Sequence, residues 1–217
     1  MQTIQTIEGL EEAIDAFGIL PFFRSRVPGW SLEDRIAPGV WFTDREGPWE
    51  WKGQLALQRI CVYGKFISGK AAFVSPDCFG DLMNLRRRGM TFEERLEEGL
   101  VPYGDKRLME YLKAHPNVLS KYAKRECGLT KGYDAALTRL QMSTDVILCD
   151  FRYSLDKTGK PYGWGNAALD FPERWFGERL FAEALERTPE ESEERLVGRI
   201  RRTLPRAQEG LLLRQLR

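Results

Sequence analysis

The stretch from Val118 to Leu169 carries the most restrictive pattern in this 217-residue chain. It contains two short helical segments, VLSKYAKREC and KGYDAALTRLQM, which are separated by only three residues, Gly128-Leu129-Thr130. In the second segment, apolar residues recur at intervals of three and four positions, which gives a helix one buried stripe. Two extended runs follow, DVILCDF and PYGWGNAAL. The order helix, turn, helix and hairpin predicts a winged-helix unit.

The second helix and the hairpin loop of this unit carry the candidate contacts to DNA. Winged-helix proteins commonly place the second helix in the major groove and the loop, called the wing, against phosphates. The apolar stripe consists of Tyr133, Leu137 and Leu140. The other faces of the helix carry the candidate DNA contacts Lys131, Thr138, Arg139 and Gln141. The predicted wing loop, from Arg152 to Lys160, adds the candidate phosphate contacts Arg152, Lys157 and Lys160.

The charge balance limits how such a surface can act. The chain has 33 Lys plus Arg against 32 Asp plus Glu, so its formal net charge is +1. A nearly neutral protein exerts no strong net field on nucleic acid or on a membrane, and any basic surface must therefore be local. With 42% hydrophobic and 30% charged residues, the composition is that of a globular protein with one large domain or two small ones.

Several other classes of function lack their sequence signals. The four cysteines, Cys61, Cys78, Cys127 and Cys149, are far apart, and with a single histidine the chain lacks the usual ligand spacing of a zinc site. We expect four reduced, mostly buried thiols, no metal and no cofactor. There is no phosphate-binding G-x-x-x-x-G-K-[ST] loop and no G-x-S-x-G motif. No apolar run approaches membrane-spanning length, so we expect a cytoplasmic protein.

A second predicted hairpin, ICVYGKFISGKAAFV at residues 60–74, carries Lys65 and Lys70 near its tip. The helix after it ends in Arg86-Arg87-Arg88. Arginines in a last helical turn complement the helix dipole, and they can also contact phosphates. These five residues form a secondary candidate DNA-binding surface.

The segment from Pro38 to Gly53 contains Trp41, Trp49 and Trp51 among glycines and prolines. One interpretation is a stacking surface for bases or for a small ligand. The other is an aromatic plug that closes the core where regular structure is absent. The sequence leaves both interpretations open.

Most of the chain resembles a known bacterial family. The segments YGKFISGKAAFVS, YLKAHPNVLSKYAKRECG, LTRLQMSTDVILCDF and GKPYGWGNAALDFPERW follow a helix and an aromatic-rich loop, in an order that resembles the winged-helix DNA-crosslink-repair glycosylases (AlkZ-like), and in particular their short relatives. The resemblance implies an α+β fold of tandem winged-helix-like units, each a helix bundle with a β-hairpin wing.

We accordingly expect an N-terminal half, residues 1–104, with the hairpin at 60–74, and a C-terminal half, residues 105–217. The second half comprises a winged helix at 105–169 and closing helices at 171–217. Both halves are expected to form one compact body.

The resemblance also implies where catalytic residues would lie. The family's glycosylases carry Gln-x-Gln or Gln-x-Asp soon after the first helix, where this chain reads Phe17-Gly18-Ile19-Leu20-Pro21-Phe22-Phe23. Apolar side chains can neither accept a proton nor offset a developing positive charge, so the family's chemistry does not transfer to these positions. Glu46 and Glu50 are the remaining candidate carboxylates.

We therefore predict a non-catalytic or weakly active winged-helix protein that binds double-stranded DNA. Two alternatives remain: a scaffold of the same fold that binds a protein partner, and a glycosylase that acts on alkylated bases.

Overall fold

The computed structural model describes residues 3–41 and 46–217, apart from the side chain of Trp164. The helices of these residues are, in chain order, α1 (Ile7–Phe17), α2 (Pro48–Leu57), α3 (Pro76–Arg87), α4 (Phe92–Glu97), α5 (Tyr103–Ala114), α6 (Ser120–Glu126), α7 (Tyr133–Met142), α8 (Pro172–Phe176), α9 (Arg179–Leu185), α10 (Pro189–Thr203) and α11 (Glu209–Leu216). The strands are β1 (Ile19–Pro21), β2 (Val62–Ile67), β3 (Lys70–Val74), β4 (Val118–Leu119), β5 (Ile147–Leu155) and β6 (Pro161–Asp170).

The fold is α+β, and its described strands form one antiparallel sheet in the order β1-β3-β2-β5-β6-β4. Both predicted hairpins are present, β2–β3 and β5–β6. They meet where Tyr63 on β2 pairs with Leu148 on β5. The two hairpins therefore belong to one continuous sheet.

The first hairpin and the first helix end as their sequences require. At the tip of β2–β3, Ser68 and Gly69 both have positive φ, as a two-residue type I′ hairpin turn requires. Helix α1 begins after Thr6, whose hydroxyl accepts a hydrogen bond from Gly9 N, and ends at Gly18 with φ +71°. Its face of Leu10, Ala13, Ile14 and Phe17 is buried. Capping and periodicity therefore explain these elements directly.

The buried apolar residues form two clusters. The larger one joins α1, α2, α3 and the middle of the sheet to the closing helices, through Phe181, Leu196 and Ile200. The smaller one lies among α5, α6 and α7 and contains the predicted stripe of Tyr133, Leu137 and Leu140. The closing helices thus share a core with the N-terminal residues, whereas the division at residue 104 stays a prediction.

In the closing segment, Gly177 adopts φ +87° and separates α8 from α9. Two local expectations need correction. The wing turn is shorter than predicted, since β5 and β6 extend to Leu155 and from Pro161. Trp49 and Trp51 do not lie in a loop, because Pro48 begins α2.

The four cysteines are free and buried, as predicted. Within the described residues, no group of three or more His, Cys, Asp and Glu side chains could hold a metal ion. No helix there has the length and apolar character needed to cross a membrane.

Arg86, near the end of α3, connects elements of both clusters. Its Nη2 donates to Phe66 O on β2 (2.6 Å), its Nη1 to Met142 O on α7 (2.6 Å), and its Nε to Leu216 O on α11 (2.9 Å). Burial lowers the pKa of this guanidinium to about 10. Arg86 therefore links β2, α7 and α11 through hydrogen bonds from a single side chain.

We expect Arg86→Met to lower the free energy of unfolding by about 3 kcal/mol, because it removes charged donors from enclosed carbonyl groups. Urea denaturation followed by circular dichroism measures this. Arg88→Met is the matched control: Arg88 is exposed two residues away, and its change should stay within about 0.5 kcal/mol. Equal stabilities of the two variants would contradict this role of Arg86.

Candidate nucleic-acid interface

A groove of about 670 Å³ opens over the middle strands of the sheet. Its floor contains Tyr63 on β2, Ala71 on β3, and Leu148 and Phe151 on β5. The rings of Tyr63 and Phe151 lie 5.8 Å apart, edge to face. Charged and aromatic side chains form the rim: Phe23, Arg24 and Glu33 after β1, Lys52 on α2, Lys65 on β2 and Lys70 on β3. The groove therefore combines an aromatic floor with four cations and one carboxylate.

The lysines of the groove differ from most arginines of the chain in their pairing. Among the described residues, Lys52, Lys65 and Lys70 have no carboxylate oxygen within 4.0 Å. By contrast, Arg24 at the rim contacts Asp34 at 3.2 Å. Unpaired cations beside an open groove are available to an anionic ligand.

Lys52 lies against aromatic rings. Its Nζ is 4.5 Å from the ring centroid of Phe151 and 5.5 Å from that of Trp49, and it donates to Trp49 O. Burial lowers the pKa of Lys52 to about 8, although Glu50 acts in the opposite direction. Rings can stabilise an ammonium ion, but they replace water poorly as hydrogen-bond partners.

Lys65 joins the groove to helix α7. Its Nζ donates to Thr138 Oγ1 at 3.2 Å, and its backbone N–H donates to Gln141 Oε1 at 2.8 Å. Gln141 is 1% exposed, and its amide nitrogen donates to Leu137 O. This side chain therefore satisfies a strand N–H inside the protein, and its burial argues against the predicted contact of Gln141 with DNA.

The other candidates on α7, and Lys131 two residues before it, differ in accessibility. Lys131 is exposed, and Thr138 is half-buried, with its hydroxyl between Asp134 O and Lys65 Nζ. Arg139 is half-exposed, but its Nε lies 3.0 Å from Oδ2 of Asp105, a carboxylate with only 5% exposure. Part of the Arg139 guanidinium is therefore already paired with the Asp105 carboxylate, and the rest is exposed.

The wing turn, Asp156 to Lys160, is held by its first residue. Asp156 Oδ1 accepts hydrogen bonds from the Thr158 hydroxyl (2.7 Å), Lys160 N (2.9 Å) and Thr158 N (2.7 Å). The bond from the hydroxyl, followed by those from the backbone, lowers the pKa of Asp156. Lys157 and Lys160 are exposed, and neither has a carboxylate within 4.0 Å in the described structure. Arg152 lies on β5 outside the turn and contacts Asp150 at 2.9 Å. Lys157 and Lys160 are thus the accessible, unpaired cations of the wing turn.

The three arginines at the end of α3 are not equivalent. The guanidinium of Arg86 donates to three backbone carbonyl groups, which argues against its predicted contact with phosphate. Arg87 is mostly buried and contacts Glu173 and Asp145. Arg88, at the C-cap of α3, is exposed. Of the three, only Arg88 presents an accessible guanidinium that has no acidic partner within the described residues.

The tryptophans pack against the core. Trp51 is 5% exposed, so it offers no stacking surface. Trp41 and Trp49 are half-buried, with ring centroids 5.8 Å apart, and both contact Phe22. These contacts favour the interpretation as a plug; residues 42–45 of this segment lie outside the described residues.

The region that matches the family's catalytic motif is largely core. Phe17, Ile19, Leu20 and Phe22 are at most 1% exposed, whereas Phe23 reaches the groove. The two carboxylates suggested as replacements make local contacts: Glu50 accepts from Gly47 N at the start of α2, and Glu46 from Gln54. Neither lines the groove.

Sequence reasoning missed the residues that build the groove around Lys65 and Lys70. Lys52 had a signal, because it directly follows Trp51 in an aromatic segment. Glu33, Tyr63 and Phe151 had none, since their common location depends on β1, β2 and β5 meeting in the sheet.

These features define an α+β protein with a cation-rimmed aromatic groove on one antiparallel sheet. Residues 4–217 match the family model described as "AlkZ related", so the chain belongs to the AlkZ-related family. No curated protein and no solved structure matches the chain.

The contact between Arg139 and Asp105 can be measured by a double-mutant cycle. We expect Arg139→Met to destabilise the protein because it leaves the buried Asp105 carboxylate without its cation, and Asp105→Asn to remove most of that loss. The coupling free energy from urea denaturation should be about 1–2 kcal/mol. Additive effects of the two substitutions would show that the pair contributes nothing to stability.

Proposed function

We propose that this protein binds double-stranded DNA through the lysines of the groove and of the wing. The observation that carries the proposal is that Lys52, Lys65 and Lys70 surround an open groove without acidic partners in the described structure. Phosphate contacts supply most of the affinity in non-specific DNA binding. Membership of the AlkZ-related family supports DNA as the polyanion.

The groove and the wing are joined by one strand. Phe151 on the groove floor and Lys157 on the wing are six residues apart on and just beyond β5. At about 3.3 Å per residue they are separated by roughly 20 Å, which corresponds to about six steps of a DNA strand. One duplex could therefore contact both sets of lysines.

The helices α6 and α7 and the hairpin β5–β6 follow the order of a winged helix. We propose that this unit is one of two winged-helix units in tandem. Arg139 on α7 and Lys131, two residues before the helix begins, are the candidates of this region with exposed side chains. In this proposal these two cations lie near the duplex, and Gln141 supports the strand beneath.

Absence of the catalytic motif supports binding without base excision. Phe23 is the residue of the motif region that lines the groove, and a phenyl ring can neither activate water nor stabilise a sugar cation. In this proposal the groove is kept for binding although the family's catalytic side chains are missing.

A salt titration tests the proposal. Fluorescence anisotropy with a labelled duplex gives the slope of log affinity against log salt concentration, and each lost phosphate contact reduces that slope by about 0.9. We expect Lys70→Gln and Lys157→Gln each to reduce the slope by this amount.

The matched control is Lys106→Gln. Lys106 lies on α5, outside the groove, and faces Glu110 at 3.9 Å, so the slope should not change. Negligible affinity of the wild-type protein would remove the DNA proposal and favour a protein partner. Leu155 and Tyr162, exposed on the wing strands, would then be the first candidate contacts.

Base excision is the second candidate function, because one carboxylate, Glu33, lines the groove. Its Oε2 accepts from Arg24 N at 2.8 Å, which fixes it at the rim. If it positions water, an alkylated duplex should acquire abasic sites, and Glu33→Gln should reduce their formation by about 100-fold. Equal yields with wild-type and variant protein, or none with either, would exclude this role for Glu33.

A further inference from the structure

Lys52 differs from the other lysines of the groove in its surroundings. Its Nζ lies over the rings of Phe151 and Trp49, in an opening of about 670 Å³ that is large enough for a small ligand. The polar contact that the structure gives this Nζ is with Trp49 O. Lys65 instead donates to a hydroxyl group, and Lys70 is exposed to solvent.

This environment favours the neutral amine. With a pKa of about 8, about a quarter of the Lys52 side chains are neutral at about pH 7.5, against about one in a thousand for an ordinary exposed lysine. A neutral amine in an apolar site is a nucleophile toward carbonyl carbon.

The rest of the groove fits an aldehyde that carries phosphates. Lys65 and Lys70 supply positive charge beside the amine, while the half-buried ring of Phe151 supplies flat apolar surface on which a neighbouring base can stack. An abasic nucleotide in DNA has this combination, since its ring-opened sugar carries an aldehyde between two phosphates and leaves a base-sized gap.

We propose that Lys52 forms a Schiff base with the aldehyde of an abasic nucleotide bound in the groove. The amine nitrogen bonds to the aldehyde carbon, the carbon–oxygen double bond breaks, and the oxygen leaves as water with both amine protons. The step needs no oxidant or reductant. It rests on the proposed DNA binding and adds a chemical specificity to it.

Reductive trapping tests the proposal. A labelled duplex with one abasic site is incubated with the protein and sodium cyanoborohydride, and covalent complexes are counted on a denaturing gel. We expect Lys52→Arg to lower the yield at least tenfold, because arginine keeps the positive charge but has no primary amine that can condense with an aldehyde. Lys106→Arg, the same substitution on α5 outside the groove, should lower it less than twofold.

Mapping of the wild-type adduct is independent of how the variants fold. A modified Lys52 blocks tryptic cleavage, so the adduct should lie in the peptide of residues 46–59. An adduct at another lysine, or an equal yield from Lys52→Arg, would overturn the proposal.

Binding of the same duplex is measured in parallel without the reductant. Binding by the wild type without any covalent complex would refute the Schiff base and leave the DNA-binding proposal intact. Absence of binding and of covalent complex would refute both. The two failures are therefore distinguishable.

Discussion

The arrangement of this protein depends on the guanidinium of Arg86. Its three nitrogens donate to carbonyl groups on β2, α7 and α11, which are distant in sequence and belong to different parts of the core. Arginine suits this position because its planar fork presents several fixed donors, whereas lysine presents one point charge. Gln141 adds a second connection by accepting from the N–H of Lys65. Together they set the position of α7 against β2, beside the groove.

Arginine is also the partner of the buried aspartates of this protein. Four buried aspartates each have an arginine partner: Asp81 contacts Arg187 and Arg195, Asp105 contacts Arg139, Asp145 contacts Arg95 and Arg87, and Asp170 contacts Arg174. A buried carboxylate needs such a partner because desolvation is costly. The groove and wing lysines, by contrast, have no carboxylate oxygen within 4.0 Å among the described residues, so they form local positive surface.

The groove depends little on the region where the resemblance places the glycosylase motif. The motif region now supplies Phe17, Ile19, Leu20 and Phe22 to the core, and only Phe23 reaches the groove. The side chains at these four positions therefore serve packing. The shape of the groove and its cations do not depend on those positions, because they come from β2, β3, β5 and α2.

The sequence by itself determined the local elements. Apolar periodicity, Thr6 and Gly18 around α1, and the capping box of Thr91 and Glu94 predict helices that the structure contains, because these signals act within a few residues of the backbone. Both hairpins were predictable for the same reason. The family was also identifiable, since its order of segments spans most of the chain.

Tertiary structure alone decided which of the candidate residues face solvent. Arg86, Arg88, Gln141 and Arg139 look alike as polar residues on helices, yet one binds carbonyl groups, one is exposed, one satisfies a strand N–H and one neutralises an aspartate. Only the meeting of the two hairpins at Tyr63 and Leu148 creates the groove. The physical reason is that pairing between distant strands and burial of charge are properties of the assembled sheet, which no local pattern encodes.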